Sequence, residues 1–151
     1  MNFVKKEEII SMNQAIITRY GGSFSKPKNL KNEDALNYLL DIVENNVVFG
    51  EAQYPSIAHV AALFLFKITS NHIFNDGNKR TALKTMNYFL FLNDCKLKDK
   101  LYVAIHRDQL IPKTSNYTVV GILEGLIQEI AQGKINYDDV LDFLRKNIEE
   151  S

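Results

Sequence analysis

The residues best equipped for chemistry fall in one short run, His72-Ile73-Phe74-Asn75-Asp76-Gly77-Asn78-Lys79-Arg80. An imidazole changes charge near neutral pH, so His72 is the natural general base. Asp76 supplies the kind of carboxylate that holds Mg2+ beside phosphate groups. Gly77 allows a turn where a side chain would clash. Asn78 then opens a helix, whose first turn offers free N–H groups and the positive end of a dipole to an anion. Lys79 and Arg80 lie in that turn, where cations oppose the dipole. A bound phosphate removes the conflict. The run therefore reads as a nucleotide-phosphate site with a base beside it. Taken singly, each residue has an ordinary explanation: Asp-Gly-Asn is common turn chemistry, and a Lys-Arg pair is often just solvated. The specificity lies in the nine together.

Such a loop needs rigid supports, and the flanking sequence supplies two apolar helices. One opens at Pro55-Ser56 and runs to about Ser70, with Ile57, Val60, Ala61, Phe64, Leu65 and Ile68 on one side and Ala62, Leu63 and Phe66 covering most of the other. A helix apolar nearly all round belongs at the centre of a core. The second spans 78–92 through Ala82, Leu83, Met86, Phe89 and Leu90. Phe74, between them, is expected to anchor the loop in the core. Upstream, the pattern predicts a helix over 5–20, stopped by Gly21-Gly22, and another after an Asn32 N-cap with Glu33 and Asp34 in its first turn. Residues 45–54, with Val47-Val48-Phe49 and then Gly50, read as a short strand or hairpin flap. Three shorter helices are expected near 99–109, 117–132 and 137–148, with Pro112 and Gly133 as punctuation. No repeat, low-complexity tract or long linker divides the chain, so residues 1–151 are expected to form a single domain.

Composition narrows the function classes. Eighteen basic and eighteen acidic residues cancel. That balance argues against a general nucleic-acid binder and against a polybasic membrane anchor. No apolar run approaches the ~18–20 residues needed to span a bilayer. The charged N-terminus lacks the apolar stretch of a signal peptide. One cysteine, Cys95, permits no intrachain disulfide and suits a reducing cytoplasm. His59, His72 and His106 have no metal-ligand spacing, so a metal hydrolase is a poor reading. His59 is expected to be a core histidine and His106 a surface one. Cys95 has no obvious activating base.

The run also matches the signature of the Fic/Doc family, H-x-F-x-[D/E]-[G/A]-N-[G/K]-R, at His72, Phe74, Asp76, Gly77, Asn78, Lys79 and Arg80. The match through Thr81-Ala82-Leu83, and the Arg19-Tyr20-Gly21-Gly22 segment after the first helix, resemble the death-on-curing (Doc) branch most closely. The resemblance implies an all-α class, a compact Fic-type helical bundle with a short β-hairpin flap. It implies ATP and Mg2+ as cofactors, with Asp76 on the metal and Gly77, Asn78, Lys79 and Arg80 around the phosphates. His72 then takes the proton of a Ser or Thr hydroxyl on a target protein. For Doc-like toxins that target is translation elongation factor Tu. Lys79 and Leu83 stand where the AMP-transferring members carry a glycine and a second arginine, and the same two differences mark the kinase-like Doc branch. Lys84 could partly replace that arginine, which leaves AMP transfer as the enzymatic alternative. A catalytically silent interaction module is the non-enzymatic one. The family's inhibitory helix follows a Ser/Thr-x-x-x-Glu-Gly/Asn pattern. Here Glu124-Gly125 has Val120 at the Ser/Thr position, so Glu124 reads as an ordinary helix residue. The inhibitor is expected in trans, from an antitoxin.

Overall fold

The computed structural model describes residues 1–106, 109–112 and 114–151. In chain order the elements are α1 (Lys6–Tyr20), α2 (Glu33–Glu44), β1 (Val47–Val48), β2 (Glu51–Ala52), α3 (Ile57–Ser70) and α4 (Asn78–Leu92). They continue with β3 (Cys95–Leu97), β4 (Ala104–His106), β5 (Gln109–Ile111), α5 (Val119–Ala131), α6 (Tyr137–Asn147) and β6 (Ile148–Glu150). The protein is mostly helical.

The apolar surround of α3 dictates the arrangement. Val60 to Leu65 and Ile68 are all buried, and α2, α4, α5 and α6 pack against this helix, while α1 packs on α4. Phe64 of α3 meets Phe89 of α4 with ring centroids 5.5 Å apart. Four helices start on side-chain caps that accept a backbone N–H: Asn32 for α2, Ser56 for α3, Thr118 for α5 and Asn136 for α6. Each such cap contributes about 1 kcal/mol. The helix α4 is different. Its N-cap is Gly77, and no side chain caps it.

The expected flap exists. β1 and β2 form an antiparallel hairpin in the register Val47↔Ala52 and Val48↔Glu51. Its two turn residues, Phe49 and Gly50, both have positive φ, at 50° and 78°, as a two-residue primed turn demands.

The helix expected over 99–109 does not form in its described residues, and residues 107 and 108 lie outside them. Residues 99–103 are loop, and 104–106 is strand β4, paired with β5. The loop finds its partner in Asn147 of α6, whose Oδ1 accepts the Tyr102 N–H at 2.6 Å and whose Nδ2 donates to the Tyr102 carbonyl at 3.0 Å. With Tyr102 so engaged, and Val103 and Ile105 favouring extended backbone, tertiary partners override the weak helical pattern. The last helix ends at Asn147, one residue early, because Ile148 begins β6, which pairs with β3. Next to that pairing, residues 2 and 151 both reach the segment that follows α4. Asn2 exchanges hydrogen bonds with Asn93 (2.7 and 2.8 Å), and the Ser151 N–H donates to the Asp94 carbonyl at 2.9 Å.

Candidate active site

The run 72–80 occupies the turn from α3 into α4. His72, just past the end of α3, takes a left-handed backbone (φ 48°) and exposes its side chain. That conformation is unusual for a residue with a side chain, though histidine adopts it more readily than most. Ile73 and Phe74 turn inward and are buried, as the sequence predicts for Phe74. The loop backbone is stitched to the 29–32 segment. Lys31 and Asn32 N–H groups donate to the Ile73 carbonyl at 2.8 and 3.0 Å, and Asn75 N–H donates to the Asn29 carbonyl at 2.9 Å.

Asp76 carries its carboxylate on the surface. Oδ2 accepts the Ser23 N–H at 2.9 Å, and Oδ1 accepts the Gly77 N–H at 2.8 Å. Those two bonds, Ser23's first, hold its pKa below the ordinary carboxylate value. Each carboxylate oxygen has a further lone pair beyond its one backbone bond. Gly22 allows this approach: it lies at φ 127°, and a Cβ there would sit 2.8 Å from Asp76 Oδ2. This is the structural meaning of the second glycine in Arg19-Tyr20-Gly21-Gly22. Gly77 is as constrained. Its φ is 78°, and a Cβ would meet Ile17 Cδ1 at 3.0 Å and Asn13 Nδ2 at 3.1 Å.

The other predicted residues divide. The side-chain amide of Asn78 is committed to the loop: Oδ1 accepts the Phe74 N–H at 2.9 Å and Nδ2 donates to the Phe74 carbonyl at 2.8 Å. Asn78 thus brackets the turn, which leaves its backbone N–H and the second N–H of Nδ2 for an anion. Lys79 Nζ donates to Gln128 Oε1 on α5 at 3.2 Å. The Arg80 guanidinium stacks 4.4 Å from the centre of the Tyr20 ring, which Arg19 also approaches. Both cations stay exposed at the uncapped end of α4.

Two residues that sequence reasoning passed over lie beneath the loop. Asn13 of α1 donates from Nδ2 to the Asp76 carbonyl at 2.9 Å and to Thr81 Oγ1 at 3.1 Å. Asn29 donates from Nδ2 to Asn13 Oδ1 at 3.0 Å, and its Oδ1 accepts the Ser25 N–H at 2.9 Å. Both are fully buried. The signal in the sequence was faint: Asn13 shares the inward face of α1 with Ile9, Ile16 and Ile17.

A groove of about 1130 Å3 runs from Lys79 and Arg80 between α1, α4 and α5. Ile16, Leu83 and Ile127 are among its apolar lining, and Arg19, Lys84 and Glu124 among its charged lining. His72 and Asp76 lie outside it.

Among the described residues no group of three or more His, Cys, Asp or Glu side chains could hold a metal alone. A single carboxylate with free lone pairs, beside an uncapped helix start, does fit Mg2+ that brings phosphate and water ligands with it. The remaining candidates recede. His59 is half-buried at the start of α3 rather than in the core. Arg145 approaches its Nε2 at 3.2 Å and can only donate, so the ring proton sits on Nδ1, 2.7 Å from Ser56 Oγ. His59 therefore cannot act as a base toward Ser56. The Cys95 thiol is pushed up by burial first, then by Glu150 and Asp94, which disfavours the thiolate. The side chain of His106 lies outside the described residues. No described helix is long and apolar enough to cross a membrane.

Comparison with known proteins agrees with this geometry. The chain is 28% identical over 146 residues to the protein kinase doc of Escherichia phage P1, which covers 97% of this chain and 95% of that protein. A model of the Fic/DOC family matches residues 3–90, which take in α1 to α3, most of α4 and every residue of the 72–80 loop. Matching over more than half its length, with the family's signature on the turn into α4, the chain belongs to the Fic/DOC family.

Proposed function

We propose that the chain is a Doc-like protein kinase, the toxin of a toxin–antitoxin pair, acting in the cytoplasm. It transfers the γ-phosphate of ATP to a Ser or Thr hydroxyl of a target protein. Elongation factor Tu is the leading target, and arrest of translation is the outcome. The observation that carries this reading is the start of α4. It is the described helix whose N-cap is a glycine; one ionised carboxylate precedes that glycine, two cations follow in the first turn, and His72 is exposed earlier in the same 72–80 run.

The chain's own contributions follow from position. Backbone N–H groups in the first turn of α4 bind the phosphates, and Lys79 and Arg80 offset charge that spreads over the transferred group. Asp76 would hold Mg2+ on the nucleotide, and that ion supplies further neutralisation of the phosphates. His72 accepts the proton as the acceptor oxygen bonds to the γ-phosphorus and the bond to the ADP oxygen breaks. Its exposed position leaves it open to a protein substrate. The β1–β2 hairpin offers unpaired main chain for a target segment. Leu83 makes the groove beside Arg80 apolar where an AMP-transferring enzyme needs an arginine, which favours γ-transfer. Lys84, also in that groove, sustains AMP transfer as the second reading. The same groove, with its apolar lining and cations at its edge, suits an amphipathic antitoxin segment that folds on binding.

Incubation of the protein with bacterial lysate and γ- or α-labelled ATP, beside His72→Ala, tests this. Transfer of γ-label to a band of elongation-factor mass, lost in the variant, is expected. Transfer of α-label would replace the kinase with an adenylyltransferase. Transfer of neither would leave a silent binding module. Co-expression of the antitoxin should restore growth that the chain alone arrests.

A further inference from the structure

The Asp76 residue faces two ways. Its carboxylate points to solvent, and its carbonyl points into the protein, where Asn13 donates to it at 2.9 Å and Asn29 lies 3.4 Å away. The orientation of both amides follows from their surroundings. A backbone carbonyl accepts only and a backbone N–H donates only, so the Asp76 carbonyl fixes Nδ2 of Asn13 and the Ser25 N–H fixes Oδ1 of Asn29. Every amide group then has a partner, and the network spans α1, the 23–31 segment, the turn and Thr81 of α4. A fully satisfied buried network of this kind has one low-energy arrangement. The position of Asn29 is fitted to it: φ is 58°, a left-handed backbone that asparagine tolerates better than most residues.

We propose that Asn13 and Asn29 are positioning residues for the phosphate-binding turn: by holding the Asp76 carbonyl from below, they fix where the Asp76 carboxylate and the N–H groups that follow it point. The inference rests on the phosphate-transfer reading above. Neither residue reaches solvent, so neither touches nucleotide or acceptor. They act through Asp76. Loss of either amide leaves its partners unpaired in a buried setting and frees the turn to shift. Such displacement costs a site much of its affinity even though every ligating group remains.

The test compares Asn13→Ala and Asn29→Gly with Asn147→Ala. Glycine suits the left-handed backbone at position 29, so Asn29→Gly carries the test where Asn13→Ala fails to fold. Asn147 is equally buried but serves the 98–102 loop, so its variant reports the general cost of losing a buried amide. Hydrogen exchange of residues 73–79 and calorimetric binding of Mg·ADP are measured on each, with the urea midpoint alongside. The expected result is faster exchange across 73–79 and Mg·ADP binding weaker by about 10–100-fold in the first two variants, with neither change in Asn147→Ala at a comparable loss of midpoint. Unchanged exchange and affinity in the first two variants would overturn the proposal. So would equal losses in Asn147→Ala. If the wild-type protein binds no Mg·ADP, the nucleotide reading fails by itself, and the exchange data alone decide whether these asparagines hold the turn.

Discussion

The 72–80 turn and the 47–52 hairpin are both short and exposed at their tips, and the proposed function uses both, yet they are built on opposite plans. The turn is tied down from within. Phe74 is buried, Asn78 brackets its backbone, and two buried asparagines grip the Asp76 carbonyl. The hairpin has two residue pairs, and every strand residue is exposed, with Phe49 fully so at its tip. The difference teaches where geometry has to be settled in advance. Charge that develops over a transferred phosphoryl group needs donors already in place. A surface that meets a partner can take its final form on contact. Phe49 sharpens the contrast. A bulky residue in the left-handed region costs about 1–2 kcal/mol where asparagine or glycine would not, and here the ring gains no packing in return.

The largest expected effect lies at the turn. His72→Ala should lower phosphoryl transfer by about 10^2–10^4-fold with the unfolding midpoint unchanged, since the side chain is exposed. An equal loss of stability would show that His72 serves the turn rather than the reaction. Next comes Asn78→Ala, which removes both bonds to Phe74 and should cost about 1–3 kcal/mol in urea unfolding, with weaker Mg·ADP binding. Retained stability would mean that the turn is held well enough from below.

The hairpin should respond in the other sense. Phe49→Asn relieves the backbone, so stability should hold or rise by up to about 1 kcal/mol, with unchanged Mg·ADP affinity and a raised KM for the protein acceptor. An unchanged acceptor KM would remove the hairpin tip from target docking and erase the contrast.

The smallest effect concerns His59, at the base of the hairpin's exit into α3. Burial, then Arg145, lowers its pKa below the ordinary value. The folded state thus favours the neutral ring. Its contribution is fully present above the unfolded-state pKa and is lost as pH falls through the lower folded value. Urea midpoints should therefore fall modestly between about pH 7 and pH 5, and less so in His59→Gln. Parallel profiles would mean that other groups set this dependence.

Much of this was readable from residue order. α1 to α4, the hairpin and the 72–80 turn all rest on local signals: apolar stripes, the Asn32 and Ser56 caps, and the glycines beside that turn. What was missed depends on partners distant in sequence. The stretch 99–109 could be read as helical until Asn147 claims the Tyr102 backbone, some 45 positions on. The β3–β6 pair joins segments more than fifty residues apart. Asn13 and Asn29 look like unremarkable polar residues until the Asp76 carbonyl is placed between them. Asn78 shows a subtler limit. Its identity fits the family's signature, but only the fold reveals that its amide holds both polar groups of the Phe74 backbone.

The meeting of Asn2 and Ser151 at Asn93 and Asp94 has a practical side. These contacts lie at the far end of α4 from Gly77, about 20 Å away at the rise of a fifteen-residue helix. A short linker between residues 2 and 151 would lie far from Gly77, and a cut between Phe49 and Gly50 would give a circularly permuted form of residues 1–151 with the 72–80 turn intact. Such a permutant would present the hairpin as two free tails and convert an appendage into attachment points for a reporter.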